Sequence, residues 1–63
     1  MQLIMSGVEA GVTDLWEVYL YPKPGVAALP KYVVGPARDS RQAIVQALAK
    51  NPNYVAGPAR RLN

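Results

Sequence analysis

The chain has 63 residues, a formal net charge of +3 and a composition that is 51% hydrophobic and 17% charged, with neither cysteine nor histidine. This length allows one domain at most, and the apolar content is typical of a folded chain rather than a disordered one. The missing residue types exclude disulfides, thiolate nucleophiles, the commonest zinc sites and the usual general base, so we expect no enzyme, no metal site and no cofactor. The charge is compatible with acidic partners but is too modest for a protein that coats DNA.

Residues 1–13 are the least defined part of the sequence. The apolar stretch LIM is consistent with an edge strand, whereas SGVEAG, which follows it, is typical of a loop. We therefore expect a flexible arm, or a strand that docks on the body of the protein or on a partner. The apolar stretch is short and no Lys or Arg precedes it, so it predicts neither a signal peptide nor a membrane span. A cytoplasmic location follows as the default expectation.

The segment Asp14–Tyr21, DLWEVYLY, predicts the first strand of the body. It is rich in aromatic and β-branched residues and it is followed by Pro22. Because side chains alternate along a strand, Trp16, Val18 and Leu20 share one face. We expect this face to be the buried one, since the opposite face carries a glutamate.

A second strand is predicted at Lys31–Gly35. The connection before it, PKPGVAALP, is dense in proline and glycine and is too long for a tight hairpin turn. The strand begins after one proline and is expected to stop before Pro36, which cannot donate a hydrogen bond to a neighbouring strand.

The stretch DSRQAIVQALAKNP predicts a helix. Asp39 is a suitable N-cap, and Gln42, three residues later, completes a capping-box pattern. Pro52 ends the helix, because the residue before a proline is disfavoured in the α conformation. The predicted apolar stripe contains Ile44, Ala47 and Leu48, with Val45 at its margin.

A third strand is predicted at Tyr54–Gly57, followed by a basic tail at 61–63. The order of elements predicts an α+β fold, a small two-layer ββαβ domain over residues 14–60. A helix between two strands usually forms a right-handed crossover that leaves them parallel, whereas the first two strands, joined directly, should be antiparallel. We expect a three-stranded mixed or antiparallel sheet with Asp14–Tyr21 in the centre and the helix on one face.

Two nine-residue phrases repeat in this short chain. PKYVVGPAR at 30–38 and PNYVAGPAR at 52–60 are identical at seven of nine positions. They are interpreted as a recurring local strand motif, as a partial duplication, or as two matched strands that flank the central one. A repeat protein is not expected, because stable solenoids need three or more similar units.

Parallel flanking strands would bring both GPAR segments to the same end of the sheet. With the central strand between them, the two segments would lie about 9.6 Å apart, twice the usual spacing between strands, and Arg38 and Arg60 would point from the same edge. The helix N-terminus lies at this end, and its free N–H groups favour an anion. Ordinary surface pairing with Asp14 and Asp39 is the alternative, at about 0–1 kcal/mol for each pair. The predicted anion-binding cluster consists of Arg38, Arg41, Arg60 and Arg61.

The repeat also predicts a tyrosine-rich surface. Tyr32 and Tyr54 are expected on equivalent faces of their strands, with Val33 and Val55 on the opposite face. If Trp16 lies beneath the helix, four tyrosines are displayed on the uncovered side of the sheet. Three alternatives stay open: the tyrosines form only cross-strand pairs, residues 1–12 fold over them, or the faces are reversed and the tyrosines are buried. The four are Tyr19, Tyr21, Tyr32 and Tyr54.

These features predict a non-catalytic protein-binding module, such as an adaptor, an inhibitor or a subunit of a larger assembly. Its partner would be another protein or a second copy of this chain, because tyrosine is enriched at protein–protein hot spots. The alternative is a nucleic-acid-binding module in which tyrosines stack on bases and basic residues contact phosphates. No membrane and no small-molecule substrate are expected. The binding residues of both hypotheses are Tyr19, Tyr21, Tyr32, Tyr54, Lys31, Arg38, Arg41, Arg60 and Arg61.

Overall fold

A computed structural model describes residues 14–63 of the chain. The elements are β1 (Asp14–Pro22), β2 (Lys31–Ala37), α1 (Ser40–Lys50) and β3 (Tyr54–Arg61). The sheet has the strand order β2-β1-β3, and β1 pairs antiparallel with both neighbours. β2 and β3 therefore run in the same direction on either side of β1, which confirms the predicted α+β architecture. The prediction of an arm or docking strand at residues 1–13 lies outside the described residues.

The core lies between α1 and one face of the sheet. Leu20 and Val18 on β1 are 0% and 2% exposed, and they are the largest fully buried side chains among residues 14–63. Trp16 packs against this core, and its indole Nε1–H donates to the Ala37 carbonyl oxygen at 3.0 Å. The prediction that the Trp16 face lies beneath the helix is therefore confirmed.

The start of α1 follows the predicted capping pattern. The Asp39 carboxylate accepts from the Gln42 backbone N–H at 2.8 Å, and the Gln42 side-chain oxygen accepts from the Arg38 backbone N–H at 2.7 Å. At the other end, Asn51 is the C-cap: its backbone N–H donates to the Leu48 carbonyl at 3.1 Å, and its side-chain Nδ2 donates to the Ala47 carbonyl at 2.8 Å. Side chains thus satisfy backbone groups that a helix end leaves unpaired.

Alanines form the centre of the buried helix face. Ala43 and Ala47 are buried, whereas Ile44 and Leu48 are partly buried beside them. Val45, which the sequence placed at the margin of the apolar stripe, is 61% exposed. It lies two residues, about 200° of helical rotation, from either buried alanine. The small alanine side chains allow the helix to lie close to the sheet.

The two copies of the repeated phrase adopt different registers against β1. Tyr32 of the first copy pairs with Tyr19, whereas Tyr54 of the second copy pairs with Pro22, three residues further along β1. Because side chains alternate along a strand, an odd offset places the two residues on opposite faces of the sheet. The prediction that Tyr32 and Tyr54 occupy equivalent faces is therefore wrong.

A β-bulge later in β3 changes the pairing again. Between Ala56 and Ala59, two residues of β3 oppose the single residue Tyr19 of β1. These two residues are Gly57 and Pro58, and an edge strand tolerates a proline at such an irregularity because no ladder N–H is needed there. β3 consequently continues to Arg61 instead of stopping at the predicted Gly-Pro.

Candidate binding surface

The face of the sheet opposite α1 is called the open face here. β1 alternates along its length, so its residues that do not face the helix point to this side. Residues that pair across two strands lie on the same face, so the pairing with β1 shows which residues of β2 and β3 also lie on the open face. The open face carries Leu15, Glu17, Tyr19, Tyr21, Tyr32, Val34, Val55 and Arg60.

Three tyrosines form a contacting cluster on the open face. The Tyr19 ring lies between the other two, with its centroid 4.8 Å from that of Tyr21 and 4.6 Å from that of Tyr32. Tyr32 is 62% exposed and Tyr21 is 42% exposed. Edge-to-face and tilted ring contacts at these distances are favourable for aromatic pairs. The three predicted residues are thus brought together in one exposed aromatic patch.

The Tyr21 ring also packs against the backbone of the β3 bulge. A Cβ atom at Gly57 would lie 2.6 Å from Tyr21 Cε2 and 3.2 Å from the Tyr19 carbonyl oxygen, both too close for an ordinary contact. Glycine therefore allows the ring to lie against the strand at this position. The equivalent residue of the first copy, Gly35, has no atom within 4 Å of such a Cβ.

Exposed aliphatic side chains extend the patch. Val34 neighbours Tyr32 on β2, and Val55 pairs with Tyr21 across β3 and β1. Leu15 is exposed at the start of β1. Alternation along each strand from Tyr19 and Tyr32 identifies Leu15 and Val34 as residues of the same face. The prediction that Val55 lies with Val33 on the opposite face is wrong, because the register of β3 pairs Val55 with Tyr21.

One ion pair lies among the apolar residues of the open face. Arg60 Nε donates to Glu17 Oε1 at 2.9 Å. The two side chains line an open groove of about 330 Å³ together with Tyr19, Tyr32 and Pro58. An exposed pair of this kind adds at most about 1 kcal/mol to stability, and it places a carboxylate and a guanidinium side by side among the apolar residues.

The two arginines that end the repeated phrases are further apart than predicted. Ala37, before Arg38, pairs with Asp14, whereas Ala59, before Arg60, pairs with Val18. This offset of four residues along β1 corresponds to about 13 Å. Combined with the lateral spacing, it separates the two positions by roughly 16 Å, so the expected separation of about 9.6 Å is wrong. The cause is again the register of β3.

The remaining predicted cations lie on other parts of the domain. Arg61 Nη1 is 3.5 Å from Asp14 Oδ2, which is the ordinary surface pairing considered as the alternative. Arg38 and Arg41 flank the start of α1, and neither forms an ion pair with another residue in the range 14–63. The four predicted arginines therefore do not form a single anion site.

Tyr54 lies on the helix side of the sheet, so its predicted place on the open face is wrong. Its ring packs against the core and its hydroxyl donates to the Leu29 carbonyl oxygen at 3.1 Å. The Lys31 ammonium lies 4.9 Å from the centroid of this ring, within the range of a cation–π contact. These contacts give Tyr54 and Lys31 structural roles at the end of the core.

Within residues 14–63, no helix combines the length and the apolar character needed to cross a membrane. No three acidic side chains of residues 14–63 come together as metal ligands. In comparisons with known proteins, no family model matches the sequence, and no curated protein and no solved structure is significantly similar to it.

Proposed function

We propose that this protein is a non-catalytic binding module whose open face contacts another protein. The observation that carries the proposal is the cluster of Tyr19, Tyr21 and Tyr32, bordered by exposed aliphatic side chains on the face that α1 does not cover. Single exposed apolar residues are normal on a soluble protein, whereas a contiguous apolar patch is typical of an interaction site.

The arrangement of the tyrosines suits protein recognition. Each ring offers a large apolar surface and a hydroxyl group, the combination that makes tyrosine frequent at hot spots. The rings of Tyr19 and Tyr21 pack on each other, and the Tyr21 ring also packs on the Gly57 backbone, so both rings lose little conformational freedom when a partner covers them. A pre-ordered aromatic patch of this kind favours binding.

The ion pair on the open face supports selectivity. Glu17 offers an acceptor and Arg60 offers donors beside the apolar patch. A partner that places complementary polar groups against them is favoured over one that leaves them unpaired and buried.

Protein is favoured over nucleic acid as the partner by the charge on this face. The Glu17 carboxylate lies beside the tyrosines, where it repels phosphates, and Arg60 is already engaged with it. Lys31 lies on the helix side over the Tyr54 ring, and Arg41 is on α1. The cations needed for phosphate contacts are therefore not arranged around the stacking surface.

The proposal includes a second copy of this chain among the protein partners. An exposed patch of this composition is compatible with an isologous dimer, in which both copies use the same surface. The proposed cytoplasmic location rests on the sequence alone.

Photo-crosslinking at matched positions tests the proposed surface. Benzoylphenylalanine replaces Tyr32 on the open face in one variant and Val45 on α1 in the control, two positions that are 62% and 61% exposed. We expect position 32 to form nuclease-resistant adducts of defined mass in the native host, because its ring would lie inside the interface. Position 45 should form few adducts, and gel electrophoresis with mass spectrometry measures both.

The other possible crosslinking results distinguish between the alternatives. Adducts that nuclease removes would reject the protein-binding proposal and support nucleic acid. Equal adduct formation at both positions would contradict a role for the open face. An adduct with twice the mass of the chain would support binding and identify the partner as a second copy.

A further inference from the structure

A cleft lies between β2 and α1, on the side of the sheet opposite the open face. Its floor is formed by Trp16 and Val18, and Val33 and Ala47 line it from the strand and from the helix. Its volume is about 120 Å³, enough for one small aliphatic side chain. Lys50 stands at its exposed rim. The cleft thus combines an apolar interior with a basic edge.

Gly35 accounts for the cleft. It pairs with Trp16 and lies on the helix side of β2, where another residue would direct its side chain toward α1. A Cβ atom at this position would meet no atom within 4 Å. The space against the helix is therefore unfilled because β2 has no side chain there.

The outer edge of β2 borders this cleft. Among residues 14–63, β2 pairs with β1 alone, so within this range the backbone groups on its other side have no strand partner. Pro30 and Pro36 bracket Lys31–Gly35, which restricts pairing to a short segment, because proline does not donate to a ladder. A partner strand here would be short and extended.

The charges around this edge are basic. Lys50 lies at the rim of the cleft, Arg38 follows β2 and Arg41 lies in the first turn of α1. None of the three pairs with an acid in the described part of the chain, because the two acids of β1, Glu17 and Asp14, each pair with an arginine of β3. Asp39, the acid closest in sequence, is used as the helix cap. The edge is therefore complementary to an acidic ligand.

We propose that the β2 edge and its cleft bind a short, extended, acidic peptide. The peptide would add to the sheet beside β2 and insert one Val, Leu or Ile side chain over Trp16. Main-chain hydrogen bonds to an exposed strand edge give affinity in this mode, and pockets for alternate side chains give specificity. Carboxylates near the ends of the peptide would meet Lys50 at one end and Arg38 and Arg41 at the other. This site is separate from the open face and does not depend on the function proposed for it.

Titration of the full ¹⁵N-labelled chain by NMR tests this site. The probe is a pool of capped pentapeptides with acidic residues at both ends and Val, Leu or Ile in the centre. We expect its addition to shift the backbone amides of Val33, Gly35 and Ala47. A pool with Gly in the centre should bind about tenfold more weakly, because it lacks the side chain that fills the cleft.

Variants of the chain separate the cleft from its charged rim. Gly35→Val fills the cleft from within the strand with a residue that suits β structure, and it should reduce affinity for the pool about tenfold or more. Val45→Ala, at an exposed position of α1 that does not line the cleft, is the control and should leave affinity unchanged. A double variant, Arg41→Glu with Lys50→Glu, should weaken binding of the acidic pool and strengthen binding of a pool with lysine at both ends.

Two results would overturn the proposal. One is the absence of shifts along β2 and α1 with the acidic pool at millimolar concentration. The other is a folded Gly35→Val variant that binds as the parent chain does. If Gly35→Val does not fold, the double variant Arg41→Glu with Lys50→Glu provides the test. The site would be rejected if the parent chain and this variant each bound the acidic pool and the lysine pool with equal affinity.

Discussion

Leu20→Ala is expected to remove a large part of the stability of the domain. Leu20 is 0% exposed and lies at the centre of the core between β1 and α1. Replacing a buried leucine with alanine costs about 2–5 kcal/mol, because transfer energy is lost and a cavity remains. A domain of this size has a free energy of unfolding of only about 3–9 kcal/mol. Urea denaturation followed by circular dichroism measures the loss.

The same substitution at Leu29 is the matched control. Leu29 is 81% exposed in the connection between β1 and β2, and its backbone carbonyl, which accepts from Tyr54, is retained in Leu29→Ala. We expect a change within about 0.5 kcal/mol for such a surface substitution. Similar losses from Leu20→Ala and Leu29→Ala would show that the core is not centred where the structure places it.

Tyr54→Ala is expected to destabilise the domain much more than Tyr32→Ala, although both residues occupy the same place in the repeated phrase. Tyr54 packs against the core and donates to the Leu29 carbonyl, so we expect a loss of about 2–3 kcal/mol for a half-buried aromatic residue. Tyr32 is mostly exposed and contacts Tyr19, so we expect a loss below about 1 kcal/mol. Thermal and urea unfolding of both variants provide the comparison.

Tyr54→Phe divides the larger effect into its parts. It removes only the hydrogen bond to Leu29, which is worth about 1 kcal/mol, and keeps the packing of the ring. The remaining difference between Tyr54→Phe and Tyr54→Ala measures the packing. Equal losses from Tyr32→Ala and Tyr54→Ala would contradict the different positions of the two tyrosines.

Local sequence signals were sufficient for the order and arrangement of the elements. The alternation in DLWEVYLY places Trp16 beneath the helix, and the Asp39–Gln42 pair forms the predicted cap. The strand order followed from the handedness of a strand–helix–strand crossover, which needs no information on side-chain contacts. These inferences depend on residues near one another in the chain or on general chain geometry, and the structure confirms them.

The register of β3 could not be predicted from local sequence signals. GPAR occurs in a regular strand after Tyr32 and contains a bulge after Tyr54, so identical residues adopt two different pairings. The difference depends on contacts between distant segments, such as the Tyr21 ring against Gly57 and the Tyr54 hydroxyl against Leu29. Period-two alternation assumes an unbroken strand, and it fails once a bulge adds a residue.

This register determines the composition of the candidate surface. It moves Tyr54 to the core and brings Val55 to the open face. It also places Arg60 beside Glu17 instead of beside Arg38. We expected the surface to carry four tyrosines and a shared arginine site. It carries a patch of three tyrosines and one ion pair instead, and this difference is the basis for proposing a protein partner over nucleic acid.

The contacts of the four tyrosine rings in solution are the most direct test of the strand register and of the composition of the open face. In a NOESY spectrum of the full chain, we expect the Tyr32 ring to contact the Tyr19 ring, and the Tyr54 ring to contact Leu29 and the buried side chains beneath α1. This pattern would confirm that three tyrosines form the open face while the fourth packs against the core. Contacts between the Tyr54 and Tyr19 rings, with none from Tyr54 to the core, would contradict it.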